Sequence, residues 1–119
     1  MRKNKIIPYS RQKIFSSDIK IVNKVLKSDF LTTGPMIKKF ENNLKRYCGA
    51  KYAITTNSAT SALHLSCLSL ALKKNDIIWT SPISFVASAN CGIYCGAKVD
   101  FVDIDLDTYN ISIENLKKK

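Results

Sequence analysis

The stretch Tyr52-Ala53-Ile54-Thr55-Thr56-Asn57-Ser58-Ala59-Thr60-Ser61-Ala62-Leu63-His64 constrains this chain more than any other. Its opening is β-branched and aromatic and predicts a strand over 52–56. Small hydroxyl and amide residues follow. An Ala/Leu-rich segment then predicts a helix over 62–72. A strand that turns straight into a helix leaves the first helical N–H groups without partners. Those donors and the helix dipole together favour a phosphate. Ser, Thr and Asn are also the usual helix caps, so on spacing alone a plain capped helix is the simpler reading.

The rest of the chain supplies the context. Ile6–Ser10 reads as extended, because Pro8 disfavours helix before it. Ser16 or Ser17 caps a helix with Asp18 in its first turn and an apolar stripe of Ile19, Val22, Val25 and Leu26. Asp29–Gly34 is a loop. Pro35 opens a second helix, with Ile37, Phe40, Leu44 and Tyr47 on one face and Gly49 as its stop. After the central stretch come a strand at Ile77–Thr80, a mostly apolar helix from Ser84 and Phe85 to Tyr94, and a strand over Lys98–Asp103. Ser112 caps a last helix. The helix over 62–72 is apolar on most sides and is expected to be buried. Strands separated by single helices imply an α/β fold, a mostly parallel sheet with helices on both faces. Its ligands belong beyond the carboxyl ends of the strands, where Asn57–Thr60, Ser81–Phe85 and Asp103–Asp105 lie.

A formal charge of +10 raises nucleic acid as a partner. The excess is mostly Lys and is scattered, with dense spots only at Arg2–Lys5 and Lys117–Lys119, and no basic face interleaves Arg with aromatics. The expectation is therefore no nucleic acid, with a small basic nucleotide- or nucleic-acid-binding module as the alternative. No apolar run reaches the length of a membrane span, so a soluble, cytoplasmic protein is expected. Cys48, Cys67, Cys91 and Cys95 form no C-x-x-C pair, and zinc spacing is absent. Reduced, buried thiols are expected. His64, one turn into its helix, reads as a core histidine.

Three segments carry a family resemblance: Phe30-Leu31-Thr32-Thr33-Gly34-Pro35, Asn57 to His64, and Ser81-Pro82-Ile83-Ser84-Phe85-Val86-Ala87-Ser88-Ala89-Asn90. In order and spacing they are similar to the N-terminal third of the DegT/DnrJ/EryC1/StrS sugar aminotransferases. The resemblance implies residues 51–119 as the first half of the large domain of a fold-type-I enzyme using pyridoxal 5′-phosphate. Residues 1–50 would be an extended segment and two helices before it. It assigns the cofactor phosphate to the backbone of Ala59 and Thr60 and the Thr60 hydroxyl, and the pyridine ring to Phe85. Most relatives have Gly where this chain has Ala59. Tyr9, Asp29, Phe30, Leu31, Thr32 and Ala59 would border a sugar nucleotide. The Pro-Ile-Ser-Phe-Val-Ala and Ala-Lys-Val-Asp-Phe-Val-Asp-Ile-Asp runs resemble most the family's 4-aminotransferases of pseudaminic acid-type biosynthesis. Those move an amino group from glutamate to C4 of a UDP-linked 4-keto-6-deoxy-N-acetylhexosamine. A 3-aminotransferase is the alternative within the family, and a homodimer is implied. No metal is implied. The Schiff-base lysine and the acid facing the pyridinium lie past residue 119 in the family, so an N-terminal fragment, inactive alone, is expected.

Overall fold

The computed structural model describes residues 6–119. The basic run Arg2–Lys5 lies outside the described residues. The chain divides into two compact units, Met1–Ile54 and Thr55–Lys119. Their charge differs. Residues 1–54 hold 13 of the 19 Lys and Arg but only three of the nine acids, whereas residues 55–119 hold six of each. The positive excess therefore belongs entirely to the first unit.

The first unit contains α1 (Ser16–Leu26) and α2 (Pro35–Cys48). The cap of α1 is Phe15, not Ser16 or Ser17. The Asp18 carboxylate reaches back to accept from the Phe15 N–H at 2.8 Å, so the acid closes the helix start that a hydroxyl was expected to close. Gly34 precedes α2, Pro35 is its first residue, and Gly49 ends it. Neither helix has a buried residue.

The second unit is a β-α-β crossover with helices attached. It comprises α3 (Ala59–Ser69), β1 (Ile77–Thr80), α4 (Ala87–Tyr94), β2 (Lys98–Phe101) and α5 (Ile113–Leu116). β1 and β2 pair in parallel, with Ile78 opposite Val99 and Thr80 opposite Phe101. The Val102 N–H donates to the Thr80 carbonyl at 3.0 Å and carries the ladder one step further. Val102 is the most deeply buried side chain, 1% exposed, and Cys67, Ala87, Cys91 and Ala97 complete the core. α4 packs against both strands and against α3. Gly92 permits this approach, because a Cβ there would lie 2.7 Å from Ile78 Cδ1.

Three expectations are corrected. Tyr52–Thr56 forms no strand. β-branching supplies propensity, but a strand needs a ladder with a second strand, and among the described residues the sheet consists of the two later strands alone. Second, α3 begins at Ala59 and ends at Ser69 rather than running over 62–72. Its end is fixed by the Ala71 N–H donating to the Leu68 carbonyl and the Leu72 N–H to the Cys67 carbonyl, with Ala71 at φ 56°. This is a Schellman stop with alanine in the left-handed position. α4 ends in the same motif, but there the residue is Gly96 at φ 79°. Third, α3 is not buried. Only Cys67 is, while Leu63, Leu65 and Leu68 are exposed; the extensive packing of α3 is against α4. Among the described residues no helix is long and apolar enough to cross a membrane.

Candidate functional site

The turn into α3 is held by its own side chains. The Thr56 hydroxyl donates to the Ser58 carbonyl at 2.8 Å. Ser58 caps the helix, its hydroxyl oxygen accepting from the Ser61 N–H at 3.1 Å. The Ser61 hydroxyl donates to Asn57 Oδ1 at 2.9 Å and lies 2.9 Å from the Ser58 hydroxyl. The first intrahelical bond runs from the Ala62 N–H to the Ser58 carbonyl. The N–H groups of Ala59 and Thr60, and the Thr60 hydroxyl, have no acceptor among the described residues. Ala59 is exposed and Thr60 half-buried, so this donor set is open at the positive end of an 11-residue helix.

Phe85 lies outside a helix, contrary to the expected helix from Ser84 to Tyr94. The Ser81 hydroxyl accepts from the Ile83 N–H at 3.1 Å and holds the chain in turns, and α4 starts only at Ala87. The Phe85 side chain is 73% exposed as a result. It lines a cavity of ≈ 150 Å³ together with Thr80, Ser81, Ser84, Ser88 and Phe101. The Ser84 and Ser88 hydroxyls stand 3.3 Å apart on its wall. Ala59 and Thr60 are not part of this wall. Phe101 was not singled out by the sequence, whose expected strand runs on to Asp103; its place on this wall depends on strand register and on where α4 begins.

The third segment expected at the site, Asp103–Asp105, is consumed by its own turn. Asp103 Oδ1 accepts from the Ile104 N–H, and Asp105 Oδ1 accepts from the N–H groups of Asp107 and Thr108 and the Thr108 hydroxyl. The Thr108 N–H and hydroxyl hold the Asp105 carboxyl below the ordinary range. Ile104 pairs with Ile111 in an antiparallel bridge that closes this turn.

In the first unit, Tyr9 is fully exposed in the irregular N-terminal segment. Asp29, Phe30, Leu31 and Thr32 form an exposed loop, anchored where the Ser28 hydroxyl lies 2.7 Å from the Val25 carbonyl and 3.2 Å from the Phe30 carbonyl. Of these, Phe30 alone lines a groove of ≈ 340 Å³ with Val25, Pro35, Met36, Lys24 and Lys39.

His64 is half-buried and meets the Tyr94 ring edge-on at 5.3 Å, a packing role. All four cysteines are free; Cys67 and Cys91 are buried and Cys48 is exposed. Burial, with the Cys91 and Cys95 thiols adding to it, pushes the Cys67 thiol up to about 11. Among the described residues no cluster of His, Cys, Asp or Glu has the arrangement of a metal site.

Residues 12–119 match the model of the DegT/DnrJ/EryC1/StrS aminotransferase family. A Campylobacter jejuni protein named UDP-4-amino-4,6-dideoxy-N-acetyl-beta-L-altrosamine transaminase is 46% identical over 86% of this chain and 27% of its own length. An uncharacterized protein of Methanocaldococcus jannaschii is 41% identical over 98% of this chain and 30% of its own. Among solved structures, a sugar aminotransferase of Streptococcus pneumoniae in its PLP-form superposes with a TM-score of 0.88 at 31% identity, over 94% of this chain and 29% of that one. The chain thus spans about 30% of the length of the curated relatives it matches.

Proposed function

The chain belongs to the DegT/DnrJ/EryC1/StrS aminotransferase family, and from that premise we propose that the complete protein is a pyridoxal 5′-phosphate-dependent aminotransferase of nucleotide-sugar biosynthesis. Its substrate is a UDP-linked 4-keto-6-deoxy-N-acetylhexosamine of the pseudaminic acid type, aminated at C4 with glutamate as donor. The observation that carries this reading is the open donor set at the start of α3, on a chain similar to a UDP-4-amino sugar transaminase. The same reading makes the enzyme a cytoplasmic homodimer.

The residues present fit the cofactor. Ala59 and Thr60 offer two backbone N–H groups and a hydroxyl that nothing else in the described chain uses, which suits a phosphate dianion. Phe85 offers an exposed aromatic face beside a small cavity, which suits a flat ring. When bound, the cofactor supplies the electron sink for amino transfer. The chain's own part is to bind and orient: α3 fixes the phosphate end, Phe85 the ring plane. Tyr9 and the Asp29, Phe30, Leu31, Thr32 loop, with Ala59, are the residues we assign to the sugar nucleotide.

Incubation of the complete protein with cofactor, glutamate and the UDP-4-keto sugar tests this, with the product position read by NMR. A 4-amino sugar is expected. Amination at C3 refutes the C4 assignment, and no amino product at all refutes the aminotransferase reading.

A further inference from the structure

Three of the four cysteines converge where α3 packs on α4. Cys67 is the only buried residue of α3, and Cys91 is buried on α4. Cys95 follows α4 directly and is half-buried, so of the three it alone keeps a share of solvent. Contacts on either side fix where these residues meet. One turn before Cys67, the His64 ring meets Tyr94, a chain neighbour of Cys95, at 5.3 Å. Beyond Cys67, a Cβ at Gly96, the other neighbour of Cys95, would lie 3.9 Å from the Lys74 backbone nitrogen. Cys67 and Cys95 therefore sit between two close contacts of the same helix pair. The Cys91 and Cys95 thiols are both near enough to act on the Cys67 thiol. Helix geometry decides which pair can bridge. Cys91 and Cys95 are one turn apart, where Cβ atoms stand about 5–6 Å from each other. A disulfide needs Cβ atoms about 3.5–4.5 Å apart. Cys91 also donates its S–H to the Ser88 carbonyl at 3.3 Å, which engages it along its own helix. A bridge to Cys67 crosses instead from one helix to the other, and Cys95 stands at the end of α4, where helices loosen.

We propose that Cys67 and Cys95 are a peroxide-responsive dithiol pair that closes to a reversible disulfide between α3 and α4, with Cys91 as a bystander. The Cys95 thiolate attacks one oxygen of a hydroperoxide. The O–O bond breaks, the sulfur loses two electrons and becomes a sulfenic acid, and the departing oxygen takes up a proton. The Cys67 sulfur then attacks the Cys95 sulfur. An S–S bond forms, the S–O bond breaks, and the hydroxide leaves as water with the proton from Cys67. Burial holds the proton on Cys67, so the half-buried Cys95 is oxidised first and Cys67 resolves it. The bridge closes β1 and the Ser81–Val86 loop into one covalent ring and ties the helix that begins at Ala59 to the helix that begins at Ala87. None of this depends on the cofactor reading.

The test uses the complete protein, reduced and then exposed to hydrogen peroxide without denaturant. Free thiols are blocked with N-ethylmaleimide, and peptide maps made without reductant are read by mass spectrometry. A linked Cys67–Cys95 peptide, lighter by two hydrogens, is expected as the main product in the wild type and in Cys91→Ser, and dithiothreitol should remove it. In Cys67→Ser the oxidised Cys95 has no partner, so dimedone should label it. Cys67→Ala replaces that variant if the buried hydroxyl unfolds it. Cys95→Ser should give neither a bridge nor a dimedone adduct at Cys67 or Cys91. Closure, followed as decay of the Cys95 sulfenic acid, is expected to quicken as pH rises toward about 11, because Cys67 must release its proton. Absence of the Cys67–Cys95 peptide from the folded wild type overturns the proposal, as does its appearance only after denaturation. A Cys67–Cys91 peptide, or copies joined through Cys48, as the main product overturns it as well. A closing rate indifferent to pH removes Cys67 from the resolving step and with it the proposed pair.

Discussion

Thr60→Val isolates one hydroxyl at the start of α3. Thr60 is the second residue of the helix, and valine keeps its β-branched shape and its rotamer restriction. The Thr60 hydroxyl serves no acceptor among the described residues, so its removal breaks nothing inside the chain. The apo protein is expected to keep its stability within about 0.5 kcal/mol. Bound cofactor is another matter. One hydrogen bond to a charged phosphate is worth about 1.5–3 kcal/mol, which corresponds to roughly a tenfold to hundredfold rise in the dissociation constant. Ser58→Ala is the complementary change. It removes the oxygen that accepts from the Ser61 N–H at 3.1 Å and should cost the apo protein about 1 kcal/mol through the lost cap. Fluorescence titration with pyridoxal 5′-phosphate and apo thermal melts on both variants separate the two effects. An unchanged dissociation constant in Thr60→Val removes that hydroxyl from the site. A loss of affinity matched by an equal loss of apo stability refutes the reasoning, because the hydroxyl would then be structural.

Three further changes test the frame around the site. Ala71→Gly replaces alanine at φ 56° in the Schellman stop of α3; relief of the left-handed strain, less the extra unfolded-chain entropy of glycine, gives a gain of about 0.5–1 kcal/mol in urea unfolding. Gly92→Ala places a Cβ 2.7 Å from Ile78 Cδ1 and 3.2 Å from Cγ1, so α4 must move outward; a loss of about 1–3 kcal/mol is expected, partly recovered by Ile78→Val, which removes Cδ1. Cys67 binds its proton more tightly folded, near 11 against an ordinary 9.0. Since the folded chain then holds more protons than the unfolded one, stability is constant below about pH 9 and falls as pH rises from 9 toward 11, and Cys67→Ser flattens that limb in pH-dependent unfolding.

The sequence displayed those elements whose ends are set by local chemistry. Pro35 and Gly49 bracket α2 as expected, and β1 occupies Ile77–Thr80 as expected, between a polar turn and Ser81-Pro82. The misreadings have tertiary or rotational causes. Tyr52–Thr56 has strand composition but joins no sheet among the described residues, which composition does not reveal. The Leu70-Ala71-Leu72 run continues the apolar pattern past the end of α3, and only the backbone turn at Ala71 stops it. Phe85 looked helical because the residues after it are; the Ser81 hydroxyl delays the helix and leaves the ring exposed. The donors at Ala59 and Thr60 were legible because a capped helix start has few geometries. Phe101 was not, because its place on the cavity wall depends on strand register and on where α4 begins.

The uneven distribution of charge has a thermodynamic consequence. The first unit carries the whole cationic excess, α1 with a net +1 and α2 with a net +3 of it, and neither helix has a buried residue, so like charges there repel at short range with little core to oppose them. Added salt shortens the reach of that repulsion, from about 30 Å at 0.01 M to about 10 Å at 0.1 M. The second unit is formally neutral and gains nothing comparable from screening. Helix content in α1 and α2 will therefore rise with ionic strength while α3 and α4 stay indifferent, and polyanions will act on residues 1–54 as salt does, at far lower concentration.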